Sequence, residues 1–274
     1  QLAELLNIAS SLTLATSRKT MLEGGTVRNA YTGVANQMSH TAHKLLMAGF
    51  TGELDGIGSV FGGVVSSGFD VEAALESIGK RFEVDRNYFK LHACCRYNHA
   101  ALDALWILLD KHPELQSPGQ IDRIHVESYF LAAELDDQKP RNMLAARFSI
   151  PFAIATTLIN RSSKVHSFTG NALTDPATLA LAAKTSIAES SFMSAQLPDF
   201  RPAEVSITMK NGQNFKAGVK TNRGDWQDPY DNAQLKEKYI SLTARRWSAK
   251  TSNTVYHNIF ALDRFSNVTL AFDG

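Results

Sequence analysis

The chain has 274 residues, 44% of them hydrophobic, which is enough to bury a core in one large domain or two smaller ones. Its 28 basic and 27 acidic residues leave a net charge of +1, which argues against nucleic acid and an anionic membrane as partners. It has no apolar run of the roughly 20 residues that cross a bilayer, and its first residues lack the pattern of a signal peptide. We expect a cytoplasmic protein.

The first part of the chain has the pattern of a helical region. Apolar positions recur at helical spacing over 2–12, 34–46, 57–65 and 71–82. Asp70 is the predicted N-cap of the last of these helices. Glycine pairs at 24–25 and 62–63 predict turns or close backbone approaches. The pattern is already helical at Gln1, without an initiator Met or a cap, so we expect that helix to begin upstream.

The middle of the chain mixes helices and strands. A helical stripe at 101–109 ends near His112-Pro113, and alternation at 124–129 predicts a half-buried strand. Alternation at 205–209 and 215–219, on either side of Asn211-Gly212, predicts a β-hairpin. Between these strands the sequence predicts two helices, over 151–159 and 176–187. The second has Asp175 as its N-cap and Pro176 at its first position.

A helical pattern returns from Asp231 to about Trp247. The simplest architecture is an α+β fold in which a mainly helical domain carries an inserted α+β lid domain. We predict that residues 1–88 are the C-terminal portion of a larger helical domain, that 89–230 form the lid, and that 231–274 return to the helical domain.

Three segments carry a family resemblance. They are the stretch LEGGTVR at 22–28, which leads on to AGFTG at 48–52, then KLHACCRYNH at 90–99, and ARFSIPFA at 146–153. Their order and spacing resemble those of the MmgE/PrpD family, which includes 2-methylcitrate dehydratase and cis-aconitate decarboxylase. The most specific of the three is the segment at 90–99, and the resemblance extends over essentially the whole chain.

The resemblance implies an active site between the helical domain and the lid, and a small di- or tricarboxylate as substrate. It implies no cofactor and no metal, and a homodimer that forms through the helical domain. Family members usually have a further N-terminal helical portion, which contributes acid and base residues. We therefore expect the 274 residues alone to be inactive.

Carboxylate chemistry needs cationic hydrogen-bond donors and a proton donor or acceptor near the reacting carbon. By resemblance, Lys90 and His99 are the candidate catalytic residues. The candidate substrate-binding residues are Arg28, Cys95, Arg96 and Arg147. The alternatives to a role in the site are that Lys90 is a solvated surface lysine and that His99 packs or caps a helix. Arg147 could instead form an ion pair. We interpret Ser149 as the N-cap of the helix that starts near Pro151.

Other candidate sites are weaker. Cys94 and Cys95 are adjacent, so they neither form an ordinary disulfide nor provide the spaced ligands of a zinc site, and we interpret the pair mainly as packing. His40 and His43 share a helix face but have no third ligand near them in the sequence. No metal site is predicted.

Three positions depart from the family pattern. Arg28 stands where a lysine is common, Tyr31 where a histidine follows, and Phe152 where several members have tyrosine. Arginine keeps the charge but is a poor proton donor, so carboxylate binding survives this change better than proton transfer does. The resulting hypothesis is a lyase, most simply a dehydratase of the 2-methylcitrate type. The alternatives are an epimerase or decarboxylase acting on iminodisuccinate or cis-aconitate, or a carboxylate-binding protein without catalysis.

Overall fold

The computed structural model describes residues 1–272. Most of the regular structure is helical, and helices both precede and follow the part of the sequence that contains the strands. Their bounds are α1 Leu2–Ser11, α2 Lys19–Leu22, α3 Tyr31–Met47, α4 Gly56–Ser59, α5 Val71–Leu75, α6 His99–Lys111, α7 Phe130–Ala133, α8 Met143–Arg147, α9 Ile150–Asn160, α10 Pro176–Ala182, α11 Ser191–Ser194, α12 Asn232–Thr243 and α13 Ala249–Ile259.

Four strands form one mixed sheet with the spatial order β2-β1-β3-β4. The bounds are β1 Ile121–Ser128, β2 Thr185–Glu189, β3 Ala203–Met209 and β4 Asn214–Val219. β1 and β2 are parallel, whereas β3 is antiparallel to both β1 and β4. The helices and this sheet confirm the α+β class; the inserted lid and the domain boundaries stay predictions.

The core lies between the sheet and the helices α6 and α9. Ile124 and Val126 of β1 and Val205 and Ile207 of β3 are at most 1% exposed, as their alternation predicts. They belong to one buried cluster with Leu105 of α6 and other apolar residues of α6 and α9. The candidate site residues Lys90, Cys95 and Arg96 lie in the segment before α6, and His99 is the first residue of this core-anchored helix.

Several local predictions are confirmed. The hairpin of β3 and β4 turns at Gly212, which has a φ of 88°. Asp70, Ser149 and Asp175 each accept a hydrogen bond from a backbone N–H in the first turn of α5, α9 and α10 respectively. Asp231 and Gln234 form a capping box at the start of α12.

Other predictions are wrong in part. The helix expected over 176–187 ends at Ala182, and Thr185–Glu189 instead form β2. The helix expected over 71–82 ends at Leu75, and Gly79 has a φ of 76°. Gly62 and Gly63 lie inside a π-helical turn rather than in a chain reversal.

The N-terminal segment has little core of its own. Within residues 1–91, all of which the structure describes, Ile8 and Ala42 are the buried apolar side chains. Many large apolar side chains between 47 and 89 are exposed, including Leu54, Ile78 and Phe82. Such an extended apolar surface is typical of a face that another protein segment covers. Within residues 1–272 no helix is both long and apolar enough to span a membrane.

Candidate active site

The candidate site is built on the loop that precedes α6. The backbone N–H of Cys95 donates to the carbonyl of Arg147 at 2.8 Å, at the end of α8. The backbone N–H of Ala93 donates to the carbonyl of Ser163 at 2.8 Å, just after α9. The loop is thus fixed from two sides by backbone hydrogen bonds, which makes it a rigid platform for its side chains.

Lys90 lies at the start of this loop and is half-buried. Its Nζ donates to the carbonyl of Cys94 at 3.3 Å and lies 5.8 Å from the centre of the Tyr88 ring. Its own carbonyl accepts a hydrogen bond from Nζ of Lys238 in α12. The predicted catalytic lysine is therefore folded back over the Cys94-Cys95 turn rather than extended into solvent.

The first and third motif segments meet beside this loop. Gly24, with a φ of 71°, accepts a hydrogen bond on its carbonyl from Nδ2 of Asn142 at 2.9 Å. A Cβ on Gly24 would lie 2.6 Å from Oδ1 of the same asparagine, so only glycine fits this approach. Four residues later the guanidinium carbon of Arg28 lies 5.9 Å from the centre of the Phe148 ring. Arg28 is exposed, and Phe148 adjoins Arg147 in the third motif.

Arg147 is half-buried, and its buried Nε has no hydrogen-bond partner within residues 1–272. Its carbonyl accepts from Nδ2 of Asn98 at 3.0 Å as well as from the Cys95 N–H. A buried guanidinium N–H without a partner carries a desolvation penalty, which an anion could relieve. The segments containing Arg28, Lys90 and Arg147 therefore come together around Cys95.

The thiol of Cys94 is buried and that of Cys95 is half-buried. Burial raises the pKa of Cys94 to about 12, against the opposing effects of its hydrogen bond with Asn98 and the charges of Lys90 and Arg147. Burial also raises the pKa of Cys95, although the positive charges of Lys90, Arg18 and Arg28 act in the other direction. Both thiols are consequently protonated at neutral pH, which is unsuitable for nucleophilic catalysis.

We predict slow alkylation of both cysteines by iodoacetamide at pH 8, because a raised pKa keeps the thiolate fraction low until the pH approaches that pKa. Mass spectrometry of the native chain and of the same chain in guanidinium chloride measures the difference. We expect at least a tenfold slower reaction in the native chain, on the order of the loss of one pKa unit of thiolate. Equal rates would show that the loop is open to solvent.

Within residues 1–272 Arg96, unlike Arg28, Lys90 and Arg147, is paired with a carboxylate of the chain. Its guanidinium forms an ion pair with Asp225 and stacks 4.0 Å from the centre of the Tyr88 ring. The side chain of Asp225 is only 2% exposed, so this pair is shielded from water. Gly224, beside it, has a φ of 88° and its carbonyl accepts from the Phe89 N–H at 2.9 Å. The pair thus fastens the 222–228 loop to the start of the candidate site.

His99 is the first residue of α6 and is completely buried. Burial lowers its pKa well below the ordinary value, and the neighbouring His92 and Lys90 act in the same direction. Neither ring nitrogen has a hydrogen bond of normal geometry within residues 1–272, although the backbone at Cys94 lies close enough to act on the ring. The imidazole is therefore neutral and has no open face toward solvent.

His92 is the centre of a buried hydrogen-bond network that the sequence analysis did not predict. Nδ1 of His92 lies 2.6 Å from Oγ of Ser163, and its Nε2 lies 3.0 Å from Oδ1 of Asp103. The other oxygen of Asp103 accepts from the backbone N–H of Arg223 at 2.8 Å. The His92 ring meets the His99 ring edge-on, 4.9 Å between centres. The available signal in the sequence was His92 within the second motif and Asp103 in the helix that follows it.

The weaker candidates stay apart from this site. His40 and His43 lie exposed on α3. Among residues 1–272, no group of three or more His, Cys, Asp or Glu side chains is placed to hold a metal ion.

The chain is an α+β protein in which, within residues 1–272, segments with unpaired basic side chains meet around one partly buried loop, an arrangement suited to binding small anions. A family model described as the MmgE/PrpD C-terminal domain matches residues 92–259, more than half of the chain, so this chain belongs to the MmgE/PrpD family. The matched range includes Cys95, Arg96, His99 and Arg147, whereas Lys90 and Arg28 lie before it.

Two curated relatives are both cis-aconitate decarboxylases, one from Aspergillus terreus and one from Aspergillus terreus strain NIH 2624 / FGSC A1156. Each is 22% identical to the chain over 209 residues, which is 73% of this chain and 42% of the relative. The chain therefore spans less than half the length of the curated relatives that it matches.

Proposed function

We propose that this chain provides the carboxylate-binding part of a lyase active site that acts on a small di- or tricarboxylate without a cofactor. The observation that carries the proposal is the group formed by Arg28, Lys90 and Arg147 around Cys95. Within residues 1–272 none of these three basic side chains forms an ion pair with a carboxylate of the chain itself. Their charges are available for a ligand.

The proposed chemistry follows from this charge. Two or three cations offset the charges of a di- or tricarboxylate, and charge-assisted hydrogen bonds orient it. Removal of a proton beside a carboxyl group produces an enolate-like intermediate, which the same cations stabilise. In a dehydratase of the 2-methylcitrate type, hydroxide then leaves from the neighbouring carbon. We propose Lys90 as the proton-transferring or charge-stabilising group, since it lies within the loop and bears a transferable proton.

The remaining candidates receive supporting roles in this proposal. His99 has no access to solvent, and we infer that it positions the loop through its contacts with His92 rather than touching substrate. Arg96 is engaged by Asp225 and holds the loop in place. Cys95, which is half-buried, lines the floor between the basic side chains.

Decarboxylation is the second candidate reaction, because both curated relatives are named cis-aconitate decarboxylase. The same cations would stabilise the carbanion left by loss of carbon dioxide. Epimerisation uses the same intermediate with return of the proton to the other face. A carboxylate-binding protein without catalysis is the alternative from another class, favoured by Arg28, Tyr31 and Phe152.

Proton NMR of the full-length gene product with 2-methylcitrate, citrate, cis-aconitate and an iminodisuccinate-type substrate tests the proposal. Proton signals of the dehydrated product would indicate the dehydratase, and proton signals of the decarboxylated product would indicate the decarboxylase. Saturable binding without turnover would favour the non-catalytic alternative. If none of the four compounds is bound or turned over, the proposal is wrong.

We also propose that the protein forms a homodimer through the helical segment. The exposed apolar side chains between 47 and 89 support this, because a face of that kind needs a cover. Sedimentation equilibrium should give twice the chain mass, and a monomer at all concentrations would contradict the proposal.

A further inference from the structure

A pocket of about 410 Å³ lies between the candidate loop and α12. One wall is a face of α12, where Gln234, Lys238 and Leu242 follow one another at four-residue spacing. Arg245 extends this wall just beyond the helix. The opposite wall includes Leu91 of the loop. This pocket was not predicted from the sequence, because it depends on how α12 packs.

The charge inside this pocket is unbalanced. The acidic side chain in its lining, Glu237, pairs with Lys164 across the pocket at 3.1 Å. Lys238 and Arg245 also line it, and within residues 1–272 neither forms an ion pair. Two positive charges without a carboxylate partner thus line a partly apolar pocket.

Lys238 carries a positive charge in an unfavourable environment, which a bound anion would stabilise. It is half-buried, and its Nζ donates to the carbonyl of Lys90. Burial lowers its pKa, and the nearby charge of Lys90 lowers it further. A bound anion would restore the solvation that the ammonium loses and offset the repulsion between the two lysines.

We propose that this pocket is a separate binding site for a small organic anion, with a carboxylate or phosphate group held by Lys238 and Arg245. The apolar part of the ligand would contact Leu91 and Leu242. The site is distinct from the proposed active site, since neither Arg28 nor Arg147 lines it. It nevertheless adjoins the active-site loop through Leu91 and through the contact between Lys238 and Lys90. Occupancy is therefore expected to influence the position of Lys90.

Isothermal titration with inorganic phosphate and with butyrate, at low ionic strength, tests this inference. We expect saturable binding of at least one probe to the wild type. Arg245→Met and Lys238→Met should each weaken it by about tenfold, the effect of one charge-assisted hydrogen bond. Binding of phosphate alone would identify the site as one for phosphate groups, and binding of butyrate would identify it as one for carboxylates.

Lys250→Met serves as a control for loss of charge, because Lys250 is exposed in α13 and outside the pocket. Lys250→Met should bind the probes as the wild type does. Arg28→Gln shows whether any of the probe binds at the proposed active site instead. Failure of both probes to saturate, or unchanged binding by Arg245→Met, would overturn the inference. Binding lost only in Arg28→Gln would place the probes in the proposed active site instead.

Discussion

Replacement of Lys90 by methionine is expected to lower kcat/KM for the polycarboxylate substrate by at least about 100-fold, the usual contribution of a group that transfers a proton or stabilises charge. The half-buried side chain of Lys90 lies over the Cys94-Cys95 turn, and methionine retains much of its length without the charge. Steady-state kinetics of the full-length gene product, followed by NMR or absorbance, measures the effect.

Lys90→Arg distinguishes the two possible roles of the lysine. Arginine preserves the positive charge but not an easily transferred proton. Retained binding with lost turnover would assign proton transfer to Lys90, whereas partial retention of both would assign charge stabilisation. Lys210→Ala, at the exposed β3–β4 turn, is the matched control and should behave as the wild type. Wild-type kinetics in Lys90→Met would remove Lys90 from the site.

Replacement of Asp225 by alanine is expected to destabilise the fold by about 3–5 kcal/mol, because it leaves the Arg96 guanidinium charged and largely buried without its partner. The side chains of Arg96 and Asp225 are 18% and 2% exposed. Chemical denaturation followed by circular dichroism measures the change in the free energy of unfolding.

The exposed pair Arg81 and Glu83, at 53% and 65% exposure, provides the comparison. Arg81→Ala should change the free energy of unfolding by less than about 1 kcal/mol, because water solvates both charges. Equal losses in the two variants would mean that the Arg96–Asp225 pair is as open to water as the surface pair. The restraint on the 222–228 loop would then need another source.

Strong local signals in the sequence were sufficient for much of the fold. Alternation predicted β1, β3 and β4, and short polar side chains before apolar runs predicted the N-caps at Asp70, Ser149 and Asp175. These features depend on neighbours within a few residues. They are therefore legible without knowledge of the tertiary structure.

The errors fall where distant contacts decide. Residues Thr185–Glu189 follow a helix without a turn signal, and they become a strand because they pair in parallel with β1. The apolar positions of 71–82 have a helical period, yet most of that stretch is exposed and has no core against which a longer helix could pack. Periodicity alone could not separate these cases.

The candidate site shows the same division. The motif segments indicated Arg28, Lys90 and Arg147 as candidate site residues. Only the fold shows that the segments containing them meet around Cys95. The burial of His99, the capture of Arg96 by Asp225 and the approach of Lys238 to Lys90 all depend on residues more than 100 positions apart or on packing. Sequence spacing carries no information about such contacts.

We propose that the unpaired basic residues around Cys95 bind a small polycarboxylate, and calorimetric titration with citrate at low ionic strength is the decisive test. We predict saturable binding at one site per chain that depends on Arg28 and Lys90. Arg28→Gln and Lys90→Met should each weaken binding by about tenfold or more, while Lys210→Ala and Arg245→Met should not change it. Absence of citrate binding, or equal binding by all of these variants, would show that these basic residues are not a polycarboxylate site.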